Sequence, residues 1–548
     1  MKKIKRGFCI LLTAILVAFS FSGCSSDNEK VDFIYPFSGN VKSFDPQIAS
    51  TADEFLIIEN CFEGLVRVTD DGTVKPGVAE SWNISSDGKT YTFNLRKGAK
   101  WHIEEDSNTE ELFGKGVNPD ITANDFVFAL QRAADKNTNA PLFSSISNIK
   151  NASKIHSGKM NTSKLGVKAI DDYTLEIQLS SADSSFINVL STAVAMPCNE
   201  SFFNATKGRY GLGLKYSVFN GQFYLSSILE KSYILKNNSQ YVGESKSAVT
   251  DITLNITDEN SEIAKNLKSG YYDAAYITGQ EYHELKDSGI TATGYSDTTV
   301  AFILNKNKII LSEKELRQAV CLSISDIDLS QREYLSRATG YTPPSCTIGG
   351  EAAVDAIGNV NPKQDIERAR ELWKSGLEKL NIAQADFKVI VPQEYEDIAK
   401  ELVQGIQKGI GQVTSYGQDD TPISFSLKIE ALSDEDFNTA FSSGDYDLAL
   451  YKFSASSQNA LNFLDSIISG NYAGAVSKAQ TALKKAQGSS ADKLATAVKE
   501  CEKALMADYS IKPVFYESSY YAQAKGVSGV QFHPGSGRVC FVYAQREK

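Results

Sequence analysis

Histidine is scarce in this 548-residue chain: His102, His156, His283 and His533 are its four, and none has a second histidine or a cysteine pair at metal-ligand spacing. That argues against a zinc hydrolase, and neither a metal nor another cofactor is expected. The G-x-S-x-G elbow, the phosphate-binding loop and the dinucleotide fingerprint are missing too, and Gly211-Leu212-Gly213 supplies only the start of the last. The run His102-Ile103-Glu104-Glu105-Asp106 reads as a solvated turn, and Asp434-Glu435-Asp436 as a solvated helix start. A surface hydrolase is therefore only a distant alternative. Positive charge is in deficit, 56 Lys and Arg against 67 Asp and Glu for a formal charge of −11, so nucleic acid is a poor partner. After Phe21 no apolar run approaches the roughly 20 residues a helix needs to cross a bilayer. Cysteines occur without close pairs. Cys61, Cys198, Cys321, Cys346, Cys501 and Cys540 stand singly, which fits no zinc site and leaves buried thiols and disulfides both open.

What is present begins at the amino terminus. Lys2, Lys3, Lys5 and Arg6 precede an apolar run from Phe8 to Phe21, which ends in Ser22-Gly23-Cys24 and a polar stretch. A basic start, a short apolar run and small residues at the cut mark an export signal, here residues 1–23. The cysteine just after the cut, Cys24, is expected to be lipidated; a plain signal peptide or an uncleaved anchor is the other reading. Two acyl chains, at about 0.8 kcal/mol per buried methylene, hold a protein at a membrane. Residues 24–30 would be the lipidated tether, and the rest of the chain would face the extracytoplasmic side of the cell membrane, touching the bilayer only through the acylated cysteine. Losing the four basic residues of the leader takes the formal charge from −11 to −15.

Periodicity then divides the chain. Trp82 and Ile84, a turn at Asp87-Gly88, and Tyr91, Phe93 and Leu95 alternate as a half-buried hairpin, and Leu175, Ile177 and Leu179 repeat the pattern after Asp171-Asp172. Thr122 and Asp125 cap an amphipathic helix carrying Phe126, Leu130 and Ala134. Later the chain alternates helices and strands. Ser312 and Glu315 form a capping-box pattern ahead of Leu316 and Ala319. Ile366, Ala369, Trp373, Leu377 and Leu380 mark one helix face, and Tyr395, Ile398, Leu402, Ile406 and Ile410 another. Short strands are expected at Phe387–Val391 and Tyr446–Tyr451, and a helical hairpin around Gly488-Ser489-Ser490, with Leu494, Val498, Cys501 and Leu505 on one face. Val514-Phe515-Tyr516 and Phe541-Val542-Tyr543 read as closing strands. Tyr (25) and Phe (28) far outnumber Trp (3), and those not in the core suit a cleft for an amphipathic ligand.

The stretch VKPGVAESWNISSDGKTYTFNLRKGAKWH, followed by ITANDFVFALQRAAD, resembles the signature region of family 5 extracellular solute-binding proteins, the lipoprotein receptors of ABC importers for oligopeptides, dipeptides, nickel chelates and related solutes. SFDPQIASTADEFLIIENCFEGLVRV, LKSGYYDAAYI, AFILNKNKIILSEKELRQAVCLSIS, NPKQDIERARELWKSGL, SGDYDLALYKF and IKPVFYESSYYAQAKGVSG extend the likeness over nearly the whole mature chain. The resemblance implies an α/β fold with two lobes, periplasmic-binding-protein-like (type II, cluster C), with an extra strand-rich subdomain in lobe I. Lobe I would take 31–52, 165–301 and 511–548, the extra subdomain 53–164, and lobe II 302–510. It further implies a monomeric receptor that binds a small solute, expected to be an oligopeptide, and passes it to the transmembrane subunits of an ABC permease without catalysis. A non-peptide solute receptor or an orphan sensor of the same fold is the alternative.

From the family's cleft-lining segments, the resemblance implies ligand contacts at Ala49, Ser50 and Thr51, at Phe302 and Asn305, at Lys452, Phe453, Ser454 and Ser456, and at Tyr520. Lys452 would suit a ligand carboxylate. In many peptide-binding members the strand like Tyr446 to Phe453 runs into a tryptophan and then an aspartate that grips the peptide's amino group. Here Phe453 stands at the tryptophan position and no acid follows until Asp465. His102 to Pro119 is longer than the family's turn, and Asn220-Gly221-Gln222-Phe223 replaces a glycine-rich one.

Overall fold

The alternating run around Asp87-Gly88 folds as antiparallel strands Ala79–Ile84 and Thr90–Leu95, with Tyr91, Phe93 and Leu95 buried. The structure, a computed structural model, describes residues 31–547 except 71, 104–110, 113–118, 184, 244–246, 258–259, 456–457, 471, 473, 475, 488, 490 and 534–537. The leader 1–23, Cys24 and the tether 24–30 lie outside the described residues, as does most of the insertion between His102 and Pro119. Among the described residues no helix is long and apolar enough to cross a membrane.

Strand Thr90–Leu95 also pairs with Thr174–Gln178, and this with Val167–Asp171, giving one four-stranded sheet. The subdomain boundary expected at 164/165 therefore moves beyond Gln178, since the later hairpin is hydrogen-bonded to the earlier one. Its other edge moves as well. Helix Ala52–Cys61, begun by a capping box between Thr51 and Glu54, lies against the first lobe: Asn60 Nδ2 donates to Val539 O at 2.7 Å, and Phe541 N donates to Asn60 Oδ1 at 2.9 Å. That last bond is why Phe541-Val542-Tyr543 is a turn and not the expected strand. Its amide is taken by a side chain, and its buried ring is set edge-on to Phe33 and Tyr35. His102, expected in a solvated turn, instead donates its backbone N–H to Phe219 O at 2.7 Å and stacks its ring on Tyr224.

A second sheet runs in the order Val31–Phe37, Val249–Ile256, Ser232–Asn237, Phe223–Ile228. The third has seven strands: Ala274–Ile277, Ile511–Gln523, Thr291–Leu304, Leu448–Ser454, Gln384–Pro392 and Ser424–Leu432 in order, with Leu335–Arg337 added on Ile511–Gln523. Apolar burial separates the lobes. One core draws on residues from Phe33 to Leu285 and from Tyr521 to Ala544. Two others, one on each face of the seven-stranded sheet, draw on Val300 to Phe515. Among the described residues, only Thr291–Leu304 and Ile511–Gln523 carry sheet pairing from one region to the other. Their register breaks between Tyr295 and Thr298 and again between Val300 and Ala301; as Val300 and Ala301 are already second-lobe core, the crossing sits at the first break, at Ser296-Asp297 and near Ser518. The boundaries expected at 301/302 and 510/511 fall inside the second lobe, where Phe302, Leu304 and Ile511 are already core.

Helices Lys314–Ser323, Ile366–Leu380 and Glu396–Gly409 cover one face of that sheet, with Trp373 fully buried. Ser312 does not cap the first of them. It ends a short turn of its own, its hydroxyl bonded to Ile309 O, and Glu313 takes the cap position. Helices Ser477–Gln487 and Ala491–Met506 form the expected hairpin on the other face, with Val498, Cys501 and Leu505 buried. The six cysteines of the described chain are buried free thiols.

Candidate functional site

Successive side chains of a strand point to opposite faces of its sheet, so the crossing strands present two surfaces between the lobes. Tyr276 lies opposite Tyr521, and Tyr295 opposite Ser519; the neighbouring rung, Ile277, Tyr520 and Gly294, faces the other way.

On the first surface Tyr521 meets Tyr276 and Tyr295 at 5.2 and 5.4 Å between ring centres and stacks on Phe532 at 4.7 Å. Tyr276 remains 43% exposed. The register break puts Asp297 beside them. Its carboxylate, 5% exposed, accepts the Thr298 hydroxyl at 3.1 Å and the Ser519 hydroxyl at 3.4 Å, both on Oδ1. Thr298 Oγ1 is also 2.9 Å from Ser454 Oγ, and Ala455 N donates to Asp297 O at 2.8 Å. Burial pushes the Asp297 carboxyl up to about 6, and the hydroxyls only partly offset it. Burial and then the Asp297 charge hold the Tyr276 phenol above its ordinary value, and burial and then Asp70 do the same to Tyr295.

The second surface is filled by the lobes themselves. Tyr520 stacks on Tyr282 at 3.9 Å. Gly279 sits so tightly on Tyr334 of the second lobe that an added Cβ would be 2.4 Å from the tyrosine Cβ. Ser518 N donates to Tyr334 O at 2.8 Å, and Lys286 pairs with Glu333 at 3.1 Å. Where the strands enter the second lobe, Glu517, on the Ser519 side of its strand, accepts from Tyr395, and Lys452 Nζ donates to Glu394 at 2.5 Å over the Tyr395 ring. Burial alone would lower the Lys452 ammonium; Glu394, then Glu517, hold it above its ordinary value.

The residues expected at the ligand scatter across this geometry. Phe302 is fully buried in the second lobe, and Asn305 donates to Gly444 O and Tyr446 O at 3.2 and 3.0 Å, bracing the far end of its strand. Both are corrected to structural roles, because the crossing comes earlier in that strand. Phe453 is likewise core, between Tyr451 and Tyr472. Ala49 is buried, while the amides of Ser50 and Thr51 donate to Glu54 and the Thr51 hydroxyl accepts from Glu54 N. Tyr520 belongs to the filled surface, and Lys452 is held by Glu394 instead of standing free for a carboxylate. Ser454 ends its strand one hydroxyl away from Asp297, and Ser456 lies outside the described residues. Sequence reasoning misses Asp297, Ser519, Tyr276 and Tyr295. The signal that could have found the first is an acid at the head of the apolar run Thr299 to Leu304. A small cavity bounded by Glu63, Arg96, Lys100, Asn220 and Tyr241 lies within the first lobe, away from the crossing; there Glu63 is already paired with Arg67 at 2.8 Å.

Comparison with known proteins bears on this arrangement. The family described as bacterial extracellular solute-binding proteins, family 5 Middle, matches residues 73–475. The oligopeptide-binding protein AmiA of Streptococcus pneumoniae is 28% identical over 394 residues, 67% of this chain and 56% of AmiA, so the chain spans little more than half that relative's length. The oligopeptide-binding protein OppA of Bacillus subtilis is 23% identical over 97% of both chains. Among solved structures, the substrate-binding domain of an oligopeptide ABC transporter from Bacillus anthracis superposes with a TM-score of 0.70 at 25% identity, covering 94% of this chain and 99% of that one.

Proposed function

This chain belongs to the bacterial extracellular solute-binding proteins of family 5, and on that premise we propose that it receives oligopeptides in the cleft between its lobes and delivers them to an ABC permease. The observation that carries the reading is the crossing itself. The core of the first lobe and the two cores of the second are joined by a pair of long strands, with one surface at the junction packed and the other open. Such a joint lets two lobes close on a ligand, and closure is what a ligand bound to both would favour. An extended peptide offers main-chain groups to strand ends and leaves its side chains to hydrated pockets, which tolerates varied sequences. The names of AmiA and of the Bacillus subtilis relative support the oligopeptide class. The protein acts as a monomer, performs no catalysis, and is held at the outer face of the cell membrane by lipid on Cys24.

A second reading, a non-peptide solute or an orphan sensor, draws on the absence of an acid between Ser454 and Gln458. The test is a thermal-shift screen of residues 25–548, unfolded and refolded to strip bound ligand, against di- to octapeptides, metal chelates and oligosaccharides. A ligand at about 100 times its dissociation constant adds about 2.7 kcal/mol of stability. Stabilisation by peptides, recovered intact after long incubation, is the expected result; a shift confined to another class would replace the peptide reading.

A further inference from the structure

We infer that Asp297 is the acceptor for a cationic group of the ligand, seated on the open surface of the crossing between the Tyr276 and Tyr295 rings. The inference rests on the receptor reading above and specifies what that receptor selects. A carboxylate taken out of water is costly unless charge and hydrogen bonds replace what it loses. Asp297 is 5% exposed, yet its side-chain partners among the described residues are two hydroxyls, both on Oδ1. Among the described residues no side chain donates to Oδ2, and none pairs with it as a cation. Its charged neighbour Glu517 has the same sign, and Lys452 is engaged by Glu394. A protein with no use for this charge would keep an amide or a hydroxyl here.

The second observation is independent of the acid. Tyr276 is a large aromatic left 43% exposed beside a nearly sealed carboxylate, and Tyr295 flanks it half-buried. Aromatic faces next to an anion form a receptacle for an ammonium, which the rings attract through their quadrupoles and the carboxylate through charge. Ala455 N donates to Asp297 O at 2.8 Å, so the end of strand Leu448–Ser454 is held at the acid's backbone. The sequence from Ser454 to Gln458 carries no acid of its own, and Asp297 is the buried acid beside Tyr276, with Asp70 near Tyr295.

An ammonium comes either from a peptide's amino terminus or from a basic side chain, and the arms of the experiment separate them. Refolded, ligand-free protein is titrated with a tetrapeptide pool lacking Lys, Arg and His, with the same pool N-acetylated, with an acetylated pool containing one lysine, and with spermidine. The expected result is that wild type binds the free pool at least about tenfold tighter than the acetylated one, the worth of one charge-assisted hydrogen bond. Asp297→Asn should erase most of that preference. Recovery of tight binding by the lysine pool assigns the site to a side-chain ammonium, and no recovery assigns it to the amino terminus; either supports the inference. Equal binding of all three peptide pools by wild type, with no gain from the lysine, overturns the inference and leaves the receptor reading standing. Spermidine binding that Asp297→Asn weakens, without any peptide binding, keeps the inference and removes the peptide reading. No binding in any arm overturns both. If Asp297→Asn fails to fold, Asp297→Ser is the second variant: loss of the preference in it supports the inference, and a preference kept at the wild-type ratio overturns it.

Discussion

The two surfaces of the crossing are built from the same strands and finished differently. On one, aromatic rings stack, a glycine lets a tyrosine of the opposite lobe sit against the backbone, and the Glu333 carboxylate has a cation. On the other, rings stand partly in the open around a buried carboxylate whose side-chain partners, among the described residues, are hydroxyls alone. Packing that is complete without a ligand marks the side about which lobes turn. An unpaired charge behind exposed aromatics marks the side that something else completes. The site is therefore recognised by what the protein leaves unsatisfied more than by any motif.

The largest expected effect lies on the crossing strand beyond both surfaces. Phe302→Ala should cost about 3–5 kcal/mol, as for other buried phenylalanines, while the affinity of the surviving folded protein for peptide stays unchanged. Denaturant melts and titration together check this, and a large affinity loss at unchanged stability would return Phe302 to the ligand. Next comes Gly279→Ala. The new methyl would fall 2.4 Å from Tyr334 Cβ, so the lobes must part or the tyrosine must leave, for a cost of about 1–3 kcal/mol. A neutral outcome in the melt would mean the packed surface is looser than described.

Much of this fold is legible in short stretches of sequence. Alternation at Tyr91, Phe93 and Leu95 and the helical spacing of Ala369, Trp373 and Leu377 are local signals, and local signals survive folding. The second-lobe strands and the helical hairpin are legible for the same reason. Contacts between segments distant in sequence are not. Family likeness puts Phe302 and Asn305 at the ligand because a segment-level match does not say where a strand's register breaks. It offers Lys452 to a ligand carboxylate because Glu394, its partner, arrives from another part of the lobe. Asp297 becomes a buried acid only when Ile511–Gln523 returns to lie beside it, so its sequence neighbourhood, Ser-Asp-Thr, reads as an ordinary polar strand entry.

The open surface yields the next prediction. Burial lifts the Asp297 carboxyl from 3.8 to about 6. The folded state thus holds the proton more tightly than the unfolded chain, and stability falls as pH rises from about 4 through 6, after which the deficit is complete. Glu517 faces it as a like charge, and Tyr276 and Tyr521 face it as neutral phenols. At 1.36 kcal/mol per pH unit the shift bounds the deficit near 3 kcal/mol, and about 1–2 should remain after rearranged hydroxyl bonds. Ligand-free Asp297→Asn should therefore melt higher than wild type at pH 7, with the gap closing near pH 4. A variant less stable than wild type at pH 7 would mean the charge serves the fold.

The smallest effect decides which surface is the hinge. Lys286 and Glu333 join the lobes at 3.1 Å, but their side chains are 32% and 67% exposed, and exposed pairs are worth about 0.2–1 kcal/mol because water and salt already screen them. Lys286→Ala should lower stability by less than about 0.5 kcal/mol. If this surface stays packed while the other opens and closes, the pair is intact in both states and cancels from binding, so peptide affinity should move less than about twofold. A clear affinity change would show that the pair is made in one state and broken in the other. The packed surface would then be the moving one, and the roles of the two faces would have to be exchanged.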